Sequence, residues 1–352
     1  MFVTGLGTAV PPRRFTQAEC WTALQHSAQF AEFDSRAKAV LEKVLCGDNG
    51  IESRHLAVGD LSEMFAITPD VLQSRFTRHA PALATQAAQR ALASANLGED
   101  QIDAVIVSTC TGYLCPGLTS YVSENLGLRP DVQALDLVGQ GCGAALPNWR
   151  TSAALLDSGS AKHVLSICVE VCTAAFYLDN DHGVLISACL FGDGAGAAIL
   201  SAQPATHARK IEWKTAASLH SPADRDYLRF EHCNGMLRNI LTRQVPALAA
   251  KYADTLLADT LAKNAVKRSE INAWILHSGG REILIALRKR MNLTEDDTRL
   301  SADILSNFGN VSSPCVLFVL EQALAEANPG GWWWMTSFGA GFSCHGALLK
   351  VD

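Results

Sequence analysis

The chain reads as an α/β protein made of two duplicated halves, each a mostly parallel sheet covered by helices on both faces. Two observations predict this. Residues 87–97 form an Ala- and Leu-rich helical pattern, Gly98-Glu99-Asp100-Gln101 makes a polar turn, and residues 102–108 are a continuous apolar run. Residues 255–266, Lys267-Arg268-Ser269-Glu270 and residues 271–277 repeat that order, with Ile271 standing 169 positions after Ile102. Such an offset is too long for a solenoid unit and suits a repeated domain. Helical patterns alternating with β-rich apolar runs imply strands buried on both faces. The expected division is 1–205 and 206–352, and a chain of 352 residues accommodates two domains of ~100–200 residues each.

Composition narrows the function classes. Apolar residues make up 48% and charged residues 18%, enough to bury a large core and too apolar for disorder. A net charge of −6 offers no basic field for nucleic acid. No uninterrupted apolar run reaches the ~18 residues of a membrane span. Met1-Phe2-Val3-Thr4-Gly5 shows neither the basic nor the apolar stretch of a secretion signal. With eleven scattered cysteines, an odd number, the expectation is a cytoplasmic protein with reduced thiols. Cys110 with Cys115, and Cys168 with Cys172, resemble metal spacing but lack a matching second pair, so no metal is expected.

Taken in chain order, residues 33–55 read as a helical surface layer, on which Lys38 and Lys43 are either a solvated face or a contact for a phosphorylated ligand. An apolar run ends at Val138, and Gly139-Gln140-Gly141-Cys142-Gly143 leads into a helical pattern at 148–156. That layout sets a thiol at a strand tip and near a helix N-terminus, where free N–H groups and partial positive charge favour thiolate. The polar segment 203–246, with His207, His220 and His232, reads as the crossover into the second half, part of it lining a cavity. His277 then ends a strand of that half. Asn310 stands 168 positions after Cys142, at an equivalent turn into a helix.

Duplicated halves bring equivalent strand ends together, so Cys142, His277 and Asn310 are expected to face one pocket beyond the carboxyl ends of the strands. A thiolate exchanges readily with an acyl thioester. An imidazole N–H and an Asn amide can both donate to one carbonyl oxygen, forming an oxyanion hole. In such a hole a malonyl thioester loses carbon dioxide to an enolate, which attacks the Cys-bound acyl group in a Claisen condensation. His277 is also expected to hold the thiolate as an ion pair in the resting protein.

The residues resemble a known family. Gly141-Cys142 after an apolar strand, Trp274-Ile275-Leu276-His277-Ser278-Gly279-Gly280 and Leu305-Ser306-Asn307-Phe308-Gly309-Asn310-Val311-Ser312-Ser313 look like the type III polyketide synthases, the chalcone and stilbene synthase family. Leu190-Phe191-Gly192-Asp193-Gly194-Ala195 and Phe338-Gly339-Ala340-Gly341 match as well. The resemblance implies a thiolase-like fold with layered αβαβα architecture, a homodimer, and coenzyme A thioesters as substrates without a bound cofactor. It makes Cys142 the nucleophile, His277 and Asn310 the stabilisers of the thioester carbonyl, and Phe191 a gatekeeping aromatic. Cys115 falls where the family reaches across the dimer into the partner's cavity. Cys172, Ala175, Ser312, Phe338 and Gly339 fall at cavity-lining positions, and Lys43 and Arg281 are candidates for the coenzyme A entrance.

Departures from the family pattern accompany these matches. Asn239 stands where a second gatekeeping aromatic is usual, Ala340 replaces a proline in the glycine loop, and Ser278 replaces a proline after the His. Small or polar side chains at 115, 172, 175 and 239 imply a differently shaped tunnel and favour a fatty acyl or other non-phenolic starter. The nearest alternative is a single-condensation ketoacyl synthase III-like enzyme of fatty acid synthesis, which uses the same three residue types. Against it, Ser-Gly-Gly follows the His, and no basic patch suited to a carrier protein stands out.

Overall fold

A computed structural model of the chain describes every residue except 207 and 208, so His207 of the predicted crossover lies outside the described residues. In chain order the strands are β1 (Phe2–Ala9), β2 (Arg14–Thr16), β3 (Ser53–His55), β4 (Ala104–Thr109), β5 (Gln133–Val138), β6 (His163–Glu170), β7 (Gly194–Ser201), β8 (Ile211–Arg225), β9 (Leu228–Cys233), β10 (Met236–Leu241), β11 (Ile271–Leu276), β12 (Gly331–Gly339) and β13 (Gly341–Val351). Nine of them form one sheet in the order β11-β12-β13-β8-β1-β7-β6-β4-β5. Its centre is thin: β1 and β8 meet through only two residue pairs, Phe2↔Glu212 and Val3↔Ile211. Two sheets are therefore joined edge to edge at their first strands.

The expectation of mostly parallel sheets is corrected. Among the described residues, only strands β4–β5, β4–β6 and β11–β12 pair in parallel, while β1, β7, β8 and β13 run antiparallel to their neighbours. Strands covered on both faces are continuous apolar runs in either direction, so hydrophobic patterning does not reveal polarity.

Packing divides into layers. Helices Ala145–Asp157 and Cys315–Ala325 lie between the two strand sets, where Trp149, Leu146, Leu317 and Leu320 meet Ile106 and Val164 on one side and Ile275 and Met335 on the other. Helix Pro69–Ala95 covers the outer face of the first half through Ala80, Ala84, Ala88 and Ala91. Thr68 caps its N-terminus by accepting from the Val71 N–H, and Asn96 ends it in the left-handed region. The Ala face permits unusually close packing on β1, since a Cβ on Gly5 would stand 2.3 Å from the Ala91 carbonyl oxygen. Helices Val245–Lys263 and Arg281–Met291 cover the outer face of the second half. The result is the αβαβα sandwich.

Two regions differ from expectation. Much of the segment read as a crossover is β8, the innermost strand of the second half, followed by the β9–β10 hairpin. In the surface layer read over 33–55, residues 35–46 are helical, but residues 53–55 form β3 and Arg54 is buried. Among the described residues, no helix is long and apolar enough to cross a membrane.

Candidate active site

β5 delivers the nucleophile candidate. After Val138 the chain passes through Gly139 (φ +81°) and Gly141 (φ +58°), conformations that L side chains rarely adopt, and enters the short turn Gly141–Gly143 just before helix Ala145–Asp157. Gly143 presses against the glycine loop: a Cβ there would stand 3.0 Å from the Gly339 nitrogen and from His345. Cys142 emerges half-buried at this junction.

β11 delivers His277, whose backbone N–H donates to the Thr336 carbonyl at 2.9 Å. Asn310 follows helix Glu295–Phe308 and is tied to Phe191 by backbone bonds on either side: Asn310 N to Leu190 O at 2.9 Å and Gly192 N to Asn310 O at 3.0 Å. A hydrogen-bonded chain links these elements. The Ser312 hydroxyl donates to Cys142 Sγ at 3.1 Å, the Ser312 N–H donates to Asn310 Oδ1 at 2.9 Å, and Asn310 Nδ2 donates to the Gly279 carbonyl at 3.2 Å, two residues past His277. Ser312 makes two of these bonds from a left-handed conformation, φ +60°. A non-glycine residue held there is strained by the order of 1 kcal/mol, a kind of strain that clusters at functional sites.

A cavity opens beside Cys142 and is also lined by Cys172, Ala175, Phe191, Asn239 and Ser312. His277 and Asn310 are each only 3% exposed and are not among its lining residues. Phe338 is buried against His277, with ring centroids 6.3 Å apart, and Gly339 abuts the cysteine turn, so both support the site from within the core. Cys115 is exposed, outside this cavity. Lys43 and Arg281 lie on the surface on either side of the 47–50 turn, where Arg281 pairs with Asp48 at 2.7 Å.

Burial opposes the expected ion pair. Burial pushes the Cys142 thiol up to about 12, and the Ser312 hydrogen bond only partly offsets it. Burial likewise pushes His277 down to about 4, and its Nδ1 has no hydrogen-bond partner among the described residues. Burial thus favours the neutral form of both groups. The partial charge of a helix end, worth about 0.3–1 kcal/mol, is too small to outweigh the desolvation of a thiolate here.

Sequence reasoning passed over a polar cluster beside the cysteine. Glu170 ends β6 fully buried and accepts from Ser313 Oγ at 2.5 Å, Thr111 Oγ1 at 2.9 Å, Cys110 N at 3.0 Å and Thr109 Oγ1 at 3.3 Å. Burial raises its pKa, and its charge in turn opposes ionisation of Cys110 and Cys142. The available signal was a lone carboxylate closing the apolar run Ser166-Ile167-Cys168-Val169-Glu170.

Comparison with known proteins identifies the family. The model of the FAE1/type III polyketide synthase-like protein family matches residues 11–271, and that of the chalcone and stilbene synthases, C-terminal domain, matches residues 229–351. The 3,5-dihydroxyphenylacetyl-CoA synthase of Streptomyces toyocaensis is 27% identical over 360 aligned positions, covering 99% of this chain and 89% of that protein. PKS-I from the brown alga Ectocarpus siliculosus superposes with a TM-score of 0.90 at 26% identity, over 99% of this chain and 98% of the other. A type III pentaketide synthase from Neurospora crassa gives 0.87 at 25% identity, over 100% and 99%. The chain belongs to the type III polyketide synthase family.

Proposed function

We propose that this protein is an iterative polyketide synthase that loads an acyl group from coenzyme A onto Cys142, extends it with malonyl units, and releases a cyclised pyrone or aromatic product. The observation that carries the reading is the chain of hydrogen bonds from Cys142 through Ser312 and Asn310 to the segment that follows His277. Loading exchanges one thioester for another: the Cys142 sulfur bonds the acyl carbon as the bond from that carbon to the coenzyme A sulfur breaks, and the Cys142 proton passes by way of His277 to the departing sulfur, so that coenzyme A leaves as the thiol and His277 is neutral again. A neutral His277 then suits the next step. As an uncharged N–H donor beside Asn310 it holds the malonyl thioester oxygen while carbon dioxide departs and enolate charge develops there. The enolate carbon attacks the Cys142 thioester carbonyl, the carbon–sulfur bond to Cys142 breaks, and the lengthened chain, now a coenzyme A thioester, is exchanged back onto the freed sulfur as coenzyme A leaves. These steps draw on coenzyme A thioesters and require no resident cofactor. A single-condensation enzyme shares the chemistry, but the family membership favours iteration.

Cys142→Ala is expected to abolish acyl-enzyme formation, read as an intact-mass shift with an acyl-coenzyme A. His277→Ala and Asn310→Ala are each expected to slow malonyl-coenzyme A decarboxylation by ~10²–10³-fold, as loss of an oxyanion donor does. Unchanged decarboxylation in both would remove their assigned roles.

The working form in this reading is a homodimer. β5 is an edge strand with an open row of backbone donors and acceptors, and Leu135 (39% exposed), Val138 (56%) and nearby Tyr113 (68%) leave an apolar face uncovered. Cys115 lies beside Tyr113 and so would meet the partner. Sedimentation velocity at low micromolar concentration is expected to give a dimer, and a monomer there would refute this part. Free cysteines throughout suit the reducing cytoplasm.

A further inference from the structure

His277 lacks the usual means of holding a working imidazole. A hydrogen bond at one ring nitrogen normally sets the ring's orientation and directs the other nitrogen at its task. Here Nδ1 is buried and has no partner among the described residues. The ring rests instead on its own turn. A Cβ on Gly279 would stand 3.1 Å from His277 Nε2 and 2.8 Å from Ile283 Cδ1, so the imidazole lies close against the backbone of residue 279. Wherever the 278–279 backbone moves, the ring must follow.

Three contacts pin that turn. The His277 N–H donates to the Thr336 carbonyl at 2.9 Å, and the Gly279 carbonyl accepts from Asn310 Nδ2 at 3.2 Å. Between them, the Ser278 N–H donates to Cys315 Sγ at 3.3 Å, and the Ser278 hydroxyl stands 3.1 Å from the same sulfur, a contact in which either group can donate. Both residues are fully buried, so neither has water to fall back on. Cys315 opens helix Cys315–Ala325, and its own N–H donates to the Ser312 carbonyl at 3.1 Å. Its sulfur therefore ties the histidine turn to the segment that carries Asn310 and Ser312, apart from the bond that Asn310 itself makes. Ser278 stands where the family pattern has a proline. A proline ring locks its own φ and offers no N–H. The serine gives up that lock and gains two contacts to one thiol.

We propose that Ser278 and Cys315 form a positioning pair for His277, holding the imidazole where it and Asn310 can donate to one oxygen. This rests on the reading that His277 stabilises the malonyl thioester oxygen during decarboxylation. Buried as they are, the two residues act through the histidine and touch no substrate atom.

The test measures malonyl-coenzyme A decarboxylation by the full-length protein in two backgrounds, with His277 intact and with His277→Ala. With His277 intact, Cys315→Ala leaves the Ser278 N–H and hydroxyl unpaired and is expected to lower kcat by about 10–100-fold at unchanged KM, the scale of an ångström-level misplacement. Cys315→Ser supplies another acceptor at the same place and is expected to recover most of that loss. In the His277→Ala background, Cys315→Ala is expected to change the rate no further, because nothing remains to be positioned. A merely structural role would give the same fold-loss in both backgrounds, and that result would overturn the proposal, as would a wild-type kcat in Cys315→Ala. If Cys315→Ala fails to fold, Ser278→Ala removes the hydroxyl contact alone and is read in the same two backgrounds, with a smaller loss expected only where His277 is present. Wild-type decarboxylation by His277→Ala on its own would instead refute the role of the histidine, and the positioning role with it.

Discussion

The two halves of the molecule share a plan and diverge where it matters for chemistry. In the first half β5 runs on the sheet edge and its end delivers Cys142. In the second, among the described residues, no strand stands in the corresponding place beside β11: the chain arrives through helix Glu295–Phe308, and the Asn310 backbone meets the first half through an isolated bridge to Phe191. At the 169-residue offset the partner of His277 is Ser108, a buried hydroxyl that accepts from Asn148 Nδ2 at 2.9 Å. The partner of Glu170 is Gly339. Duplication thus supplied the strand ends, while the functional side chains are unique to one half or the other. In the proposed reading a symmetrical scaffold holds an asymmetrical site, with the nucleophile on one side and the hydrogen-bond donors on the other.

The sharpest way to break this comparison is at Glu170, where five donors from four residues converge with no counterpart at Gly339. Glu170→Ala removes the shared acceptor, strands the Ser313, Thr111 and Cys110 donors, and leaves a void. The expected loss is about 2–5 kcal/mol, measured by urea unfolding. Glu170→Gln keeps one acceptor oxygen and most of the volume, and is expected to cost roughly half as much. Wild-type stability in the Ala variant would mean that the cluster does not hold the strand ends together.

The architecture was legible in the sequence because the helix–turn–strand order at 87–108 recurs at 255–277. Cys142 was legible because glycines flank it at the end of an apolar run. Strand polarity was not, since β7 and β6 are equally apolar although they pair antiparallel. β8 escaped notice because long stretches of it are half-exposed and polar, as an amphipathic strand beyond the core must be. Arg54 follows a helical charged segment and looks like surface. Only tertiary packing encloses it, against Gln17 from the first helix and the Ala188 and Phe191 carbonyls from the middle of the chain. The burial that opposes ionisation of Cys142 was illegible for the same reason: local sequence shows the helix end that favours a thiolate, whereas the desolvation comes from residues distant along the chain.

That last point yields the finest test of how the two halves cooperate. If the resting pair were thiolate and imidazolium, Cys142 would react with iodoacetamide at a rate that is flat across neutral pH. With the thiol pushed up to about 12 and His277 pushed down to about 4, neither group titrates near neutrality. Below its pKa the thiol is neutral, and each pH unit gained multiplies the thiolate fraction tenfold. The alkylation rate at Cys142 should therefore climb by about 100-fold from pH 7 to pH 9, with no plateau. Peptide-level mass spectrometry separates this site from exposed Cys46 and Cys115, which alkylate without any such burial. A plateau at or below pH 7 would show that the imidazole of the second half already holds the proton of the first. The halves would then form a charged pair before any substrate arrives. A steady climb means that they stay neutral until an acyl thioester enters and the sulfur gives up its proton in the act of attack.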